Sequence, residues 1–388
     1  MVPNGWEKSD LTHLITIKHG FAFKSEFYSD KGQYVLLTPG SFYETGGFRD
    51  QGSKTKYYIG DIPDGYILSQ GDMLLAMTEQ AEGLLGSALF VPENNRYLHN
   101  QRLGLVQILN QEKVCKDFLY LFFNSPSIRK QITEQSTGTK VKHTSPDRLC
   151  SVIGLIPPLK EQQKIAEIIS SWDQAISATE RLLENSQQQK KALMQQLLTG
   201  KKRLLDENGV KFSDEWQRIE LGLLLDYQQP TPYLVESTAY SDSYETPVLT
   251  AGKTFILGYT NESSGIYQDQ LPVIIFDDFT TDSKYVNFPF KAKSSAMKIL
   301  TAKKGVSIKF VFEAMQMLQF TVGGHQRHWI SIFSNLVIPL PNKKEQQQIA
   351  EVLSLADQEI ETLQKKLDCL QQEKKALMQQ LLTGKKRV

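Results

Sequence analysis

This chain of 388 residues has few cysteines, almost no net charge and no long apolar run. Cys115, Cys150 and Cys369 are odd in number and far apart, which fits neither a disulfide framework nor a zinc knuckle and favours a reducing cytoplasm. Because 44 Lys and Arg stand against 43 Asp and Glu, any polyanion must be bound by local charge. The first residues are polar and no run approaches about 18 apolar residues, so we expect neither a signal peptide nor a membrane span.

Catalytic motifs are also missing. An amino-group methyltransferase needs a Gly-rich cofactor loop and an Asn or Asp followed by Pro-Pro and an aromatic residue, but Pro157-Pro158 follows Ile156. A Walker lysine loop is absent as well. His325 and His328 lie close together without a nearby Cys, and Asp282-Ser283-Lys284 lacks a second acid for a metal. We therefore predict no catalytic residue, no metal site and no cofactor in this chain.

What the sequence does contain is a long internal repeat. Residues 190–203 (KKALMQQLLTGKKR) recur letter for letter at residues 374–387. The similarity extends to residues 161–203 against 345–387, where 27 of 43 positions are identical. A period near half the chain indicates two similar units around a pseudo-twofold axis.

Each half reads as a mixed segment followed by a long helix. Short apolar and aromatic runs cut by Gly, Pro and Asp indicate mixed α and β structure. No Pro or Gly lies between Lys160 and Leu198, which predicts a helix of about 39 residues and about 60 Å; a second is predicted from about Lys343 to Leu382. We therefore predict an α+β fold with globular mixed domains at residues 1–157 and 216–341, helices at 158–200 and 342–388, and a linker at 201–215.

Both predicted helices carry an apolar stripe with a period near 3.5 residues, which is typical of a coiled coil. A single helix of this length could not bury its stripe against a compact domain, so we expect the two helices to pair antiparallel, with one globular domain at each end. The residues predicted to pack are Ile165, Ile169, Trp172, Ile176 and Leu183 in the first helix and Ile349, Leu353, Ile360, Leu363, Leu367 and Leu370 in the second.

Several strings carry a resemblance to a known family. They are Pro157–Gln163 (PPLKEQQ) followed by Ile165-Ala166-Glu167, the helix end Leu197–Gly200 (LLTG), and the repetition of the whole arrangement. Gly20–Ser25 (GFAFKS), Asn100–Leu103 (NQRL) and Phe276–Thr281 (FDDFTT) give weaker support. Over essentially its whole length the chain resembles the specificity subunit of a type I restriction-modification system.

The resemblance implies a non-catalytic role in host defence. Each mixed domain would be a target recognition domain that reads half of a split, asymmetric double-stranded DNA sequence, while the helices would set the spacer and hold two methyltransferase subunits. Restriction and translocase subunits would join the complex. The assembled complex would use S-adenosylmethionine for modification, and ATP and Mg for restriction.

DNA binding requires cations for phosphates and amide or planar side chains for base edges. In the second domain, the segment between Asp282 and Phe310 is rich in Lys. Asp278 either accepts from a cytosine amine or belongs to a turn at the end of a strand. The candidates in the first domain are Lys24, Arg49, Lys54, Lys56, Tyr57, Gln101, Arg102, Lys140, Lys142 and His143; those in the second are Asp278, Thr280, Thr281, Lys284, Tyr285, Lys291, Lys293 and Arg327.

Two other classes of protein compete with this interpretation. A stand-alone restriction or modification enzyme is disfavoured by the missing catalytic motifs. A repressor-like or other non-catalytic DNA-binding coiled-coil protein is disfavoured because the sequence lacks a helix-turn-helix pattern and divides into split domains.

Overall fold

The computed structural model describes residues 2–79, 81–138, 141–250, 254–318 and 328–388. The chain divides into two compact units: unit 1 comprises residues 1–178 and 367–388, and unit 2 comprises residues 179–366. These limits differ from the predicted domain boundaries because each unit contains a segment of both long helices.

The mixed segment of unit 1 combines short strands with short helices, and a long helix follows it. The strands are β1 (Glu7–Ser9), β2 (Ile15–His19), β3 (Tyr28–Ser29), β4 (Tyr34–Leu36), β5 (Tyr57–Tyr58), β6 (Met73–Ala76), β7 (Ala88–Phe90), β8 (Tyr97–Leu98), β9 (Leu103–Ile108) and β10 (Gly154–Ile156). The helices are α1 (Lys116–Phe123), α2 (Pro126–Glu134), α3 (Pro146–Cys150) and the first part of α4 (Leu159–Leu197).

Three sheets organise the described part of unit 1. One has the order β2-β9-β6-β7, and its apolar side chains pack on α1, α2 and α3 to form the main core. A smaller sheet has the order β3-β5-β4-β8, in which β4 runs antiparallel to β5 and parallel to β8. Strands β1 and β10 pair antiparallel, which brings the two ends of the mixed segment together just before α4.

Unit 2 repeats this plan with different lengths. Its strands are β11 (Gln217–Glu220), β12 (Leu225–Gln228), β13 (Thr246–Leu249), β14 (Ile256–Thr260), β15 (Val273–Asp277), β16 (Ser283–Val286), β17 (Lys291–Ala292), β18 (Met297–Ala302) and β19 (Val337–Leu340). Its helices are α5 (Leu221–Leu224), α6 (Ile308–Gln316), α7 (His328–Ser331) and the first part of α8 (Lys343–Leu382).

The sheets of unit 2 correspond to those of unit 1. The core sheet has the order β12-β18-β15-β16 and packs on α6, while β11 and β19 close the mixed segment as β1 and β10 do. The small sheet has the order β14-β13-β17, and β13 again runs antiparallel to one neighbour and parallel to the other. The predicted α+β class with an internal repeat is therefore confirmed.

The two long helices are confirmed and end in the same way. Helix α4 begins at Leu159, after the two prolines, and α8 begins at Lys343, after Pro341. The chain leaves each helix through a glycine with positive φ, which is +72° at Gly200 and +66° at Gly384. Glycine adopts this left-handed conformation without the Cβ penalty that other residues incur.

The helices run antiparallel within each unit. In unit 1, Ile165 and Ile169 of α4 pack with Leu381 of α8. In unit 2, Ile349 and Leu353 of α8 pack with Leu197 of α4. Of the predicted stripe, Ile165, Ile169, Leu183, Ile349, Leu353 and Leu367 are buried, whereas Trp172, Ile176, Ile360, Leu363 and Leu370 are half-buried.

Candidate nucleic-acid interface

The segment of unit 1 around β5 holds exposed cations. Lys54 and Lys56 are exposed, and Tyr57 of β5 is half-buried. Arg49 forms an ion pair with Glu44 at 2.5 Å and lies over the Tyr43 ring, 4.7 Å from its centroid. Lys24 is exposed and lies 3.7 Å from Glu26, a distance at which an exposed pair adds little stability. Lys54 and Lys56 are therefore cations open to solvent, whereas Arg49 is already paired with an acid.

Other candidates of unit 1 lie in two further places. Gln101 and Arg102 are exposed in the turn between β8 and β9. Lys142 forms an ion pair with Glu79 at 3.7 Å, and His143 is exposed, with Nδ1 3.2 Å from Oγ1 of Thr78. Lys140 lies outside the described residues.

In unit 2, the exposed candidates surround β16 and β17. Thr280 and Lys284 are exposed and Thr281 is half-exposed with a φ of +64°. Lys293 is exposed, and its Nζ lies 5.8 Å from the centroid of the Tyr240 ring. Arg327 lies outside the described residues.

Tyr285 packs instead of projecting freely. Its ring lies 5.8 Å from that of Phe312, and the Lys309 Nζ lies 5.0 Å from the Tyr285 centroid. Burial raises the pKa of Tyr285, although the charge of Lys309 opposes that effect.

Two predicted DNA contacts of unit 2 are buried, and the prediction is corrected for both. Asp278 is 2% exposed; it lies 3.4 Å from the Lys298 ammonium and accepts a hydrogen bond from the Trp329 backbone N–H at 2.9 Å. Lys291 is 2% exposed; it pairs with Glu262 at 2.6 Å and donates to the Ser264 carbonyl. If either side chain moved away from its partner, the partner would remain as an unpaired buried charge, which is energetically costly. Neither side chain can therefore reach DNA in this conformation.

A Trp–Glu–Arg cluster joins the start of one helix to the end of the other in each unit. In unit 1, Trp6 donates to Glu161 at 3.0 Å, and Arg387 donates to both carboxylate oxygens of Glu161 at 2.7 and 2.8 Å. These hydrogen bonds, chiefly those from Arg387, lower the pKa of Glu161 in spite of burial.

Unit 2 contains the same cluster, built from the matching residues. Arg203 donates to both oxygens of Glu345 at 2.6 Å, and Trp216 donates to Glu345 at 3.1 Å. Sequence reasoning did not identify these contacts. The available signal was that the Glu and Arg occupy matching repeat positions and that a Trp opens each mixed segment.

Lys190 and Lys374 occupy matching positions of the repeat but have unlike surroundings. Lys374 in unit 1 bonds to Asp173, and both side chains are partly exposed. Lys190 in unit 2 bonds to Asp357 at 2.6 Å and also lies 3.1 Å from Glu313, whose side chain is fully buried. Lys309 completes this group, 2.7 Å from Glu313 and 2.9 Å from Asp357.

The described residues form neither a metal site nor a membrane-spanning helix. Among the described residues, no three His, Cys, Asp or Glu side chains come together as a metal site requires. None of the helices in the described part of the chain combines the length and apolarity needed to cross a bilayer. Cys115, Cys150 and Cys369 are free thiols.

Comparisons with known proteins agree with this arrangement. The family described as "Type I restriction modification DNA specificity domain" matches residues 3–186 and again residues 213–372. The chain is 54% identical over 132 residues to the EcoR124I/EcoR124II type I specificity subunit of Escherichia coli; this match covers 33% of the chain and 32% of that relative. The chain thus spans about a third of that relative's length in the match.

Two other similarities extend over the whole chain. A putative type I restriction enzyme MjaX specificity subunit of Methanocaldococcus jannaschii is 25% identical over 430 residues, covering 100% of this chain and 95% of that protein. The crystal structure of a type I restriction-modification S subunit from M. genitalium shares the fold, with a TM-score of 0.68, 15% identity and 98% of each chain covered. The two matches to this family together cover most of the chain. The chain therefore belongs to the type I restriction-modification specificity subunits.

Proposed function

We propose that this chain is the non-catalytic, DNA-reading subunit of a type I restriction-modification complex. Residues 7–156 and 217–340, called here the recognition domains, each read one half of a bipartite, asymmetric target in double-stranded DNA. The observation that carries the proposal is that two domains with different surface residues are fixed to the same helix contacts, the repeated Trp–Glu–Arg cluster. Two domains that are attached to the helices in the same way but carry different surface residues are suited to reading two different half-sites.

The chemistry of the complex then comes from its partners. Two modification subunits bind the helices and supply the site for S-adenosylmethionine, and restriction subunits use ATP and Mg²⁺. The long helices are the proposed docking surface, and Leu182 of α4 and Leu355 of α8 are among the apolar residues that they leave exposed, at 53% and 60%.

The modular part of the proposal is tested by exchanging one domain. Residues 7–156 are replaced by the matching segment of a relative, which keeps Trp6 and Glu161 and carries both strands of the β1–β10 pair. The methylated positions of the assembled complex should change in one half-site only. The matched control exchanges residues 217–340, keeping Trp216 and Glu345, and should change the other half-site.

A change of both half-sites by either exchange would contradict modular reading. The non-catalytic part is tested separately with the purified chain. It should transfer no methyl group to DNA until a modification subunit is added, and stoichiometric S-adenosylmethionine binding by the chain alone in calorimetry would contradict the proposal.

The helices are further proposed to set the spacer between half-sites. Four helical residues inserted both after Ala178 and after Lys366 lengthen each helix by about 6 Å. Since a base-pair step is about 3.4 Å, the preferred spacer should grow by one or two base pairs while both half-sites keep their sequences. The same insertion in one helix only is the control, because it breaks the register between the helices and should impair folding. An unchanged spacer in the variant with both insertions would refute the proposal that the helices set the spacer.

A further inference from the structure

A small cleft opens on the β3-β5-β4-β8 sheet of the first recognition domain. It has a volume of about 190 Å³. In this sheet Val35 of β4 lies between Tyr57 of β5 and Tyr97 of β8. Phe48, from the segment that follows β4, packs edge-on against Tyr97 with ring centroids 5.5 Å apart. Aromatic and aliphatic side chains therefore form the floor of the cleft.

Two arginines at the rim are held by acids of their own. Arg49 is bonded to Glu44, and Arg96 donates to both oxygens of Glu93 at 3.0 and 2.9 Å. These pairs fix the guanidinium groups beside the cleft and neutralise much of their charge. The rim is therefore polar without being a strong general attractor of phosphate.

The side chain of Gln51 differs from both arginines. Its amide lies against Gly40, where an added Cβ would come within 2.3 Å of Gln51 Nε2, so the glycine makes room for this amide. The hydrogen bonds of the described residues involve the Gln51 backbone carbonyl, which accepts from Lys54 N–H at 3.0 Å, and none uses its side-chain amide. A half-buried amide in a polar cleft thus keeps both its donor and its acceptor free.

We infer that Gln51 reads an adenine edge in the target of the first recognition domain, an inference that rests on the proposed function. A glutamine amide can pair with adenine in two places, accepting from N6 and donating to N7. Guanine offers acceptors at both O6 and N7 and so matches the amide poorly. Lys54 and Lys56, exposed on the same segment, supply phosphate contacts that position the base edge without reading it.

The corresponding sheet of the second domain carries a comparable cleft. The β14-β13-β17 sheet also carries a cleft, of about 550 Å³, whose lining includes Tyr259, Phe288 and Gln268. Both domains therefore present an aromatic floor and a glutamine at the sheet with the same strand pairing. Two unlike clefts on matching scaffolds are what two unlike half-sites require.

The test uses the full chain assembled with its modification subunit and a pool of duplexes with randomised half-sites. Gln51→Ala should lose discrimination at one adenine of one half-site by about 5- to 150-fold and leave the other half-site unchanged. Gln51→Glu keeps the side-chain size, and because a carboxylate accepts from the cytosine N4 amine, the preference at that position should move from adenine towards cytosine.

The control is Lys54→Ala with Lys56→Ala, which should weaken binding to all sequences alike. Full discrimination at every position in both Gln51 variants would overturn the inference, and so would a uniform loss of affinity like that of the control. Failure of the proposed function has a different signature, since the unaltered complex would then show no sequence preference in the pool.

Discussion

Replacing either of two matching lysines should change the stability of its unit by a different amount, although the repeated sequence around them is the same. Lys190 and Lys374 both lie in the repeated segment KKALMQQLLTGKKR. Lys190 contacts Glu313, which is fully buried, and Asp357; Lys374 contacts Asp173, whose side chain is 51% exposed. We expect Lys190→Met to destabilise unit 2 far more than Lys374→Met destabilises unit 1.

The magnitudes follow from burial. Removing one partner of a buried ion pair costs about 3–5 kcal/mol, and because Lys309 remains 2.7 Å from Glu313, we expect about 2–3 kcal/mol for Lys190→Met. A partly exposed pair such as that of Lys374 with Asp173 contributes about 1 kcal/mol or less, which sets the expected effect of Lys374→Met. At about 2–4 °C per kcal/mol for a domain of this size, Tm should fall by about 5–10 °C for unit 2 and by a few degrees at most for unit 1.

The reason for the difference lies in the mixed domains. Gln162 accepts from the Cys115 N–H in unit 1 as Gln346 accepts from the Ser307 N–H in unit 2. Leu121 lies six residues after Cys115 in unit 1, and Glu313 lies six residues after Ser307 in unit 2. Unit 1 therefore presents a buried leucine where unit 2 presents a carboxylate that requires a cation.

Scanning calorimetry with hydrogen exchange read separately for residues 179–366 and for the remainder would measure both effects. The double variant Lys190→Met with Glu313→Leu should recover most of the stability, since replacing a whole buried pair by apolar residues is often neutral. Equal effects of the two single lysine variants, or a double variant no more stable than Lys190→Met, would refute the reasoning.

Two further predictions concern other ion pairs. Because Arg387 and Trp6 lower the pKa of Glu161, its stabilising effect is present above the ordinary pKa of 4.5 and is lost as pH falls through the lowered value. Glu161→Gln should therefore be less stable at neutral pH, and urea midpoints of variant and parent should converge in acid; parallel pH profiles would contradict this. Lys291→Met should lower the stability of unit 2 without altering the salt dependence of DNA binding, because Lys291 is paired with Glu262. Lys293→Met should instead make the log–log salt slope shallower by about one unit, measured by fluorescence anisotropy on duplex DNA; the opposite assignment would show that Lys291 reaches phosphate.

The sequence could predict the long helices because their determinants are local. The Pro-Pro pair before Leu159, the absence of Gly and Pro up to Leu198 and the glycine at position 200 act within a few residues of one another, and α4 runs from Leu159 to Leu197. The repeat similarly predicted a second helix, observed at Lys343–Leu382. Periodicity gave the direction of the stripe, but Leu182, which fits the pattern, is 53% exposed.

The candidate contacts could not be predicted to the same degree. Lys284 and Lys291 look alike in a lysine-rich segment, yet one is exposed on β16 and the other is buried against Glu262, a residue far from it in sequence. Asp278 is likewise committed to Lys298 and the Trp329 backbone. A charge has the same identity on a surface and in a buried pair, so only its folded neighbours distinguish the two roles.

The sequence by itself predicted the duplication, the two helices and their antiparallel pairing, because helix ends depend on neighbouring residues and because the repeat and the apolar stripes can be read from the order of residues. The tertiary structure alone decided what each copy of the repeated segment contacts. Arg203 and Arg387 have the same surroundings, a Glu and a Trp, whereas Lys190 and Lys374 do not. Identical segments acquire different energetics because the desolvation and pairing of a charge depend on residues brought near by folding.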